Sequence, residues 1–225
     1  MKLNKLSAAF LFAGLVGAGT ASHAAVVYNN GGPNAVSGND ATQWVQAEDF
    51  SLGAATDIAS AGIYIGGFGD INGWDGTVDY FIFGDTGGQP GAVITSGAGQ
   101  NIASSDTGNA WIAGSGNSYL VTFDLASTFT AAASTTYWLG VHLSNNFDRD
   151  DIYWVTTDPT QGNGQESDGG TFNNWFGNGQ EHAFYLDGER SQDNGGGNGV
   201  PEPATLGLMG LGLLGLAAAR RRKSA

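Results

Sequence analysis

The chain has no cysteine among its 225 residues. That excludes a disulfide framework and any site built on thiolates, so the folded part must be held by core burial alone. Basic charge is nearly as scarce. Of the eight Lys and Arg residues, Lys2 and Lys5 stand at the start and Arg220, Arg221, Arg222 and Lys223 at the end, which leaves Arg149 and Arg190 for everything between. All acidic residues except Glu202 lie within 25–200, so that stretch holds twenty acids against two bases, a formal balance of −18. Such a surface repels phosphate backbones, and nucleic-acid binding by the main body is excluded. Histidine is sparse as well. Beyond the first 25 residues only His142 and His182 occur, with no His-x-x-x-His and no cysteine to complete a metal or nucleophile site. Each reads as a packing or edge residue.

Long apolar runs are confined to the two ends. Lys2 and Lys5 precede an apolar stretch from Leu6 to Val16, followed by small residues ending in Ser22-His23-Ala24. A positive start, an apolar segment shorter than a span and interrupted by Gly14, Gly17 and Gly19, and small residues at positions −3 and −1 predict a signal peptide over 1–24. Cleavage is expected between Ala24 and Ala25, with the Sec translocon and signal peptidase as partners. An uncleaved anchor helix is the alternative. At the other end Pro201-Glu202-Pro203 is followed by an apolar segment from Leu206 to Ala219 and the basic cluster Arg220, Arg221, Arg222 and Lys223. As a helix at ~1.5 Å per residue that segment reaches ~21 Å against a hydrocarbon core of ~30 Å, a marginal span. The basic cluster acts as a stop-transfer signal and keeps the C-terminus cytoplasmic. Gly207, Gly210, Gly212 and Gly215 suit close packing against a membrane partner better than permanent anchorage. The proline pair holds an extended backbone that a peptidase can grip.

Val200-Pro201-Glu202-Pro203-Ala204-Thr205, the Leu/Gly helix and the basic terminus together resemble a PEP-CTERM domain. The resemblance covers about the last 26 residues, with Pro201, Glu202 and Pro203 as the sorting motif. It implies a Gram-negative bacterial protein whose tail is recognised and removed by an exosortase, a membrane transpeptidase, in an organism that makes exopolysaccharide and lives in biofilms or flocs. It also implies transient inner-membrane anchoring before delivery to the cell surface or extracellular matrix, where exopolysaccharide is a candidate partner.

Between these addresses, residues 191–200 form a Gly-rich linker that cannot bury enough apolar surface to order itself. The body is expected over 25–190, with Asn29 to Asp40 as an irregular segment or first edge. Short runs of β-branched and aromatic residues punctuated by Gly, Asn, Asp and Ser predict strands near Gln43–Phe50, Ile58–Ile65, Thr77–Phe83, Ala92–Thr95, Gln100–Ala103, Ser118–Leu125, Thr136–Leu143, Ile152–Thr156 and His182–Leu186. Period-two alternation in 77–83 and 119–125 turns one face inward. No window shows the 3.6 period of a helix. The fold class read from this pattern is all-β, an antiparallel, jelly-roll-like β-sandwich, flanked by the signal helix and the short C-terminal transmembrane helix; a closed barrel is second. Ala47 to Leu52, Ile58 to Ile65, Phe83 to Gly91, Thr135 to Leu139 and Ala183 to Gly188 also resemble, in order, the choice-of-anchor β-sandwich domains found ahead of PEP-CTERM tails. That likeness implies a fold and an export habit and names no substrate.

Candidate chemistry is thin. No cofactor is required, but calcium is a candidate, since its sites are made of carboxylates in Gly-rich loops. Asp70, Asn72, Asp75 and Asp79 form one such cluster and Asp148, Asp150 and Asp151 another, although neither fits an EF-hand loop and both also read as solvated loop acids. Glu48, Asp49, Glu166 and Glu181 could supply a carboxylate pair for glycoside hydrolysis, with no spacing that selects one. Ser115 lacks the frame of a nucleophile elbow. Trp74, Trp111 and Trp175 lie in loop contexts and could stack on sugar rings or cap the ends of the sandwich, whereas Trp138 and Trp154 read as core. The sequence therefore points to a nonenzymatic, exported surface or matrix protein. A carbohydrate-binding module of the biofilm matrix is the first alternative and a secreted glycan hydrolase the second.

Overall fold

The computed structural model describes residues 25–158, 162–167 and 170–191. The chain divides into two compact units, Met1–Ser191 and Gln192–Ala225, and all described residues belong to the first. The expected signal helix over 1–24, the linker beyond Ser191 and the sorting segment 201–225 lie outside the described residues. Among the described residues there is no helix, hence none long and apolar enough to cross a membrane.

Among the described residues thirteen strands run in chain order: β1 (Ala25–Asn29), β2 (Gly38–Asp40), β3 (Gln46–Ser51), β4 (Thr56–Gly67), β5 (Asp79–Asp85), β6 (Pro90–Ala98), β7 (Gln100–Ala110), β8 (Asn117–Ala131), β9 (Thr136–His142), β10 (Ile152–Val155), β11 (Gln165–Ser167), β12 (Trp175–Gly177) and β13 (Phe184–Arg190). They form two antiparallel sheets. The first has seven strands along the path β1-β13-β4-β10-β2, with β8 paired to β4 and β7 to β8; the second has six in the order β12-β11-β3-β9-β5-β6.

Alternation decides which side chains meet between the sheets. In β5 Tyr80 and Ile82 face inward, and in β9 Tyr137, Leu139 and Val141 do; they share one core with Ile63, Ile65, Val121, Phe123, Trp154, Phe184 and Leu186 of the other sheet. In β4 the inward set changes parity, from Ile58 to Ala61, Ile63 and Ile65. The cause is a register shift between Ile58 and Ser60 against β8, where one extra residue turns the following side chains over. Tyr80 and Phe123 stack across the sheets, and the buried Tyr80 hydroxyl accepts the Ala126 amide at 3.0 Å. Trp138 and Trp154 are fully buried, as their strand contexts predict.

The outward positions are not uniformly polar. Phe81, Phe83 and Trp138 carry a second aromatic cluster on the outer face of the six-stranded sheet, covered by Phe172 and Trp175. A third lies on the seven-stranded sheet, where Trp111 stacks on Tyr153 with ring centroids 5.1 Å apart. Gly66 is required there, because a methyl group at that position would overlap the Trp111 ring.

All nine predicted strands are present, and β7 and β8 run longer than expected, through polar residues that pair as an exposed ladder. Four further strands, β1, β2, β11 and β12, are of three to five residues. β2 and β11 have the composition of loops, and the short strands exist because longer neighbours offer them a template. Phe123→Ala should cost about 3–5 kcal/mol by leaving a cavity in the shared core, read as a lower denaturant midpoint with an unchanged slope.

Candidate functional site

Along β3 the residues with the parity of core Phe50 are Gln46 and Glu48, so a carboxylate occupies an inward position. A charge placed there needs donors. Glu48 receives two from one residue: its Oε2 accepts the backbone N–H of His182 at 2.8 Å and the ring Nδ1–H of His182 at 2.8 Å. His182 is held in turn by a bridge to Thr156, by stacking on Trp154 at 4.7 Å, and by Asn39 Oδ1, 3.1 Å from its Nε2. Both side chains of the pair are fully buried.

A second layer surrounds this pair. Asn30, just past β1, donates to Glu181 Oε1 at 3.0 Å and to the His182 carbonyl at 2.9 Å. The Gly162 amide donates to Glu181 Oε2 at 2.8 Å. Asn163 donates to Asp49 Oδ1 at 2.9 Å, and Tyr28 donates to Asn30 Oδ1 at 3.0 Å. Ligand atoms of Glu48, Asp49 and Glu181 lie within 4.8 Å of one another. Burial pushes the carboxyls of Glu48 and Asp49 above the usual range, with the His182 hydrogen bonds opposing the rise at Glu48. Burial, reinforced by the nearby carboxylates, likewise raises the Tyr28 phenol.

The set offers oxygen donors of the class that hard cations take, and each of the three carboxylates already accepts an N–H. Glu48 and Glu181 are almost wholly buried, so the site's geometry is that of a polar knot joining β1, β3 and the segments 162–164 and 181–182. Glu166 stands apart, accepting Gln46 Nε2 at 2.7 Å. Sequence reasoning named Glu48, Asp49 and Glu181 as candidate carboxylates without uniting them, and read His182 as packing. The available signal was the parity of Glu48 with Phe50; the partner, 134 residues away, left none.

The loops nominated for calcium are arranged differently. Among the described residues, neither Asp70, Asp75 and Asp79 nor Asp148, Asp150 and Asp151 brings three carboxylates within reach of one ion. Asp70 accepts from the Ile71 amide, the Tyr119 hydroxyl and Asn72. Asp75 fastens Thr77 and Asn145, Asp150 accepts from Ser144, and Asp151 accepts from Arg149 and Tyr153. These acids tie their loops, and Asp75 and Asp70 also fasten them to the Asn145 loop and to Tyr119 of β8.

The nominated tryptophans also separate. Of the two readings open for Trp111, a sugar-stacking ring is corrected and a cap on the sheet fits: it is 1% exposed, because it lies over Gly66 and its Nε1–H donates to the Gly67 and Ser115 carbonyls. Trp74 is half-buried and donates to the Thr77 carbonyl. Trp175, on β12, is half-buried against Phe83 and Phe172. His142 is buried, stacked on Phe147, with its Nε2–H donating to the Thr42 carbonyl at 2.7 Å.

A carboxyl that is harder to ionise in the folded chain than in the unfolded one favours folding while it keeps its proton. Its contribution is therefore full at low pH and declines as pH rises from the unfolded value, near 4.5 for Glu48, through the raised folded one. The stability of the native protein relative to Glu48→Gln should accordingly shrink with rising pH across that window. Thermal melts at successive pH values read the difference, and a constant difference would contradict the assignment.

In comparison with known proteins, no curated protein and no solved structure matches the chain. Residues 199–223 match the family model of the PEP-CTERM protein-sorting motif, in agreement with the resemblance carried by Pro201-Glu202-Pro203, the Leu/Gly segment and the basic terminus. The chain thus ends in a PEP-CTERM protein-sorting motif, the signal by which an exosortase sorts an exported protein toward the cell surface.

Proposed function

We propose that the protein is a nonenzymatic component of the cell surface or extracellular matrix of an exopolysaccharide-producing Gram-negative bacterium. The single observation that carries the reading is the sorting motif over 199–223. A signal peptide over 1–24, cleaved between Ala24 and Ala25, brings the chain through the Sec translocon. The segment Leu206–Ala219 with Arg220, Arg221, Arg222 and Lys223 then halts it in the inner membrane, and Pro201-Glu202-Pro203 marks where the exosortase acts. The sandwich, of the jelly-roll-like, choice-of-anchor kind, is the cargo.

The body supports a structural role in three ways. Of the four carboxylates named for a glycan hydrolase, Glu48 and Glu181 are buried, Asp49 and Glu166 are half-buried, and all four accept N–H donors. Of the rings a carbohydrate-binding module would use, Trp111 is buried and Trp74 and Trp175 are half-buried. The −18 balance of 25–200 suits a hydrated, polyanion-excluding environment.

Replacing Pro201 and Pro203 with Ala should leave the folded body intact and the protein trapped with the inner membrane. Fractionation of the native host tests this: the wild type is expected in the surface or released fraction and the variant in the membrane fraction. Equal distribution of the two would remove the motif from the sorting pathway.

A further inference from the structure

A buried polar atom without a partner costs stability, and each one in a folded chain needs an explanation. Two carbonyl oxygens in the segment that closes over the acids are in that state. Asn163 Oδ1 and Gln165 Oε1 are shut off from solvent and accept no hydrogen bond among the described residues. The Gln165 residue as a whole is only 6% exposed. The amide nitrogens of both side chains are used. Asn163 Nδ2 donates to Asp49 Oδ1 at 2.9 Å, and Gln165 Nε2 donates to the Asn163 carbonyl at 2.9 Å.

Strand register places both beside the same carboxylates. Gln165 of β11 stands opposite Ala47 of β3, on the face that also carries Asp49 two residues on. Continued past that pair, the antiparallel register sets Gly164 against Glu48 and Asn163 against Asp49. The bond to the Asn163 carbonyl bends the Gln165 side chain along β11 in that direction. By the amide's own dimensions, Asn163 Oδ1 lies within ~5 Å of Asp49 Oδ1. Asp49 in turn stands with Glu48 and Glu181, their ligand atoms within 4.8 Å of one another. Gly164 lets the segment come this close, since a Cβ there would stand 2.9 Å from Asn178 Oδ1 and 3.0 Å from Glu48 Oε2.

We propose that this place binds a divalent cation of the calcium class, with Glu48, Asp49 and Glu181 as the charged ligands and Asn163 Oδ1 and Gln165 Oε1 as the neutral ones. The donor set is all oxygen, as hard cations require, and it offers more protein ligands than magnesium accepts, because that ion keeps several of its waters. Charge argues the same way. The basic group set against the acids is His182, paired with Glu48, whereas Arg149 pairs with Asp40 and Asp151 and Arg190 ends β13. A carboxylate has about four lone-pair sites. The N–H groups of His182, Asn30, Gly162 and Asn163 therefore orient the ligands and leave lone pairs for an ion. The bound ion cross-links β3 to the segments 162–165 and 181–182 in a chain that has no cysteine. The inference goes beyond the sorting reading and does not depend on it, since it is tested on purified protein in solution.

The experiment is a series of thermal melts of the protein released by its host, stripped with chelator and titrated with calcium, beside Asp49→Asn, Gln165→Met and Asp148→Asn. Asp49 is half-buried, and Gln165→Met keeps the length of the side chain, so both variants retain the fold. The stripped wild type should melt higher as calcium is added, with half-saturation at or below ~1 mM and a weaker response to magnesium. Asp49→Asn should weaken the calcium response at least ~10-fold, and Gln165→Met should weaken it as well. Stripped Asp49→Asn should melt no lower than stripped wild type, because it removes one of three like charges; a purely structural Asp49 would give the reverse, a lower melt with the calcium response intact. Asp148→Asn takes the same charge from an exposed loop and should keep the full response, which separates a site from general screening of the acidic body. A stripped wild type that calcium leaves unchanged, a response that Asp49→Asn retains in full, or one that Asp148→Asn reduces as much as Asp49→Asn does, overturns the proposal.

Discussion

A carboxylate turned into the space between two sheets has to be met by donors, and in this body one histidine meets it twice. The two bonds from His182 to Glu48 Oε2 join the six-stranded sheet, through β3, to the segment that leads into β13 of the seven-stranded sheet. The neighbouring contacts are arranged around that link. Asn30 reaches both Glu181 and the His182 carbonyl, so the first strand is fastened to the last. Gly162 and Asn163 close over the acids from the third side. In a chain without cysteine, this knot and the aromatic core do the joining that disulfides do in many exported domains. Its cost is the gathering of three carboxyls within 4.8 Å, which burial tolerates by raising Glu48 and Asp49.

Body and address divide the work of the molecule. The described sandwich ties the Glu48, Asp49 and Glu181 carboxylates to N–H donors and packs most of its large aromatic rings against one another, and the body is acidic with few cations. The last residues carry the opposite charge and a motif whose meaning lies in the machinery that reads it. The motif is a linear signal confined to residues 199–223, outside the described sandwich. The sorting signal explains where the protein is sent, and the packing explains how a disulfide-free domain keeps its shape there.

Legibility in the sequence followed the same physical divisions. Runs such as Thr77–Phe83 and Ser118–Leu125 announced strands because period-two alternation is local, and all nine predicted strands are found. The short strands β2, β11 and β12 were hidden, since segments such as Gly38-Asn39-Asp40 become strands only when a neighbour supplies the ladder. Trp111 was left open between a sugar-stacking ring and a cap, because its loop composition says nothing of Gly66, the residue that makes room for its ring. Glu48 and His182 were each visible and their union was not, for it joins positions 134 apart. The sorting motif was the most legible feature of all, being a linear signal whose information lies in adjacent residues.

The account's central claim is that export and processing leave the sandwich without its two ends. Intact mass of the protein recovered from its native host, with cell-associated and released material measured separately, tests it most directly. The account predicts a chain that begins at Ala25 and ends near Pro201 to Pro203, with or without an added group. A mass that still includes Leu206 to Ala225 in both fractions would contradict it and make the protein a simple tail-anchored envelope protein.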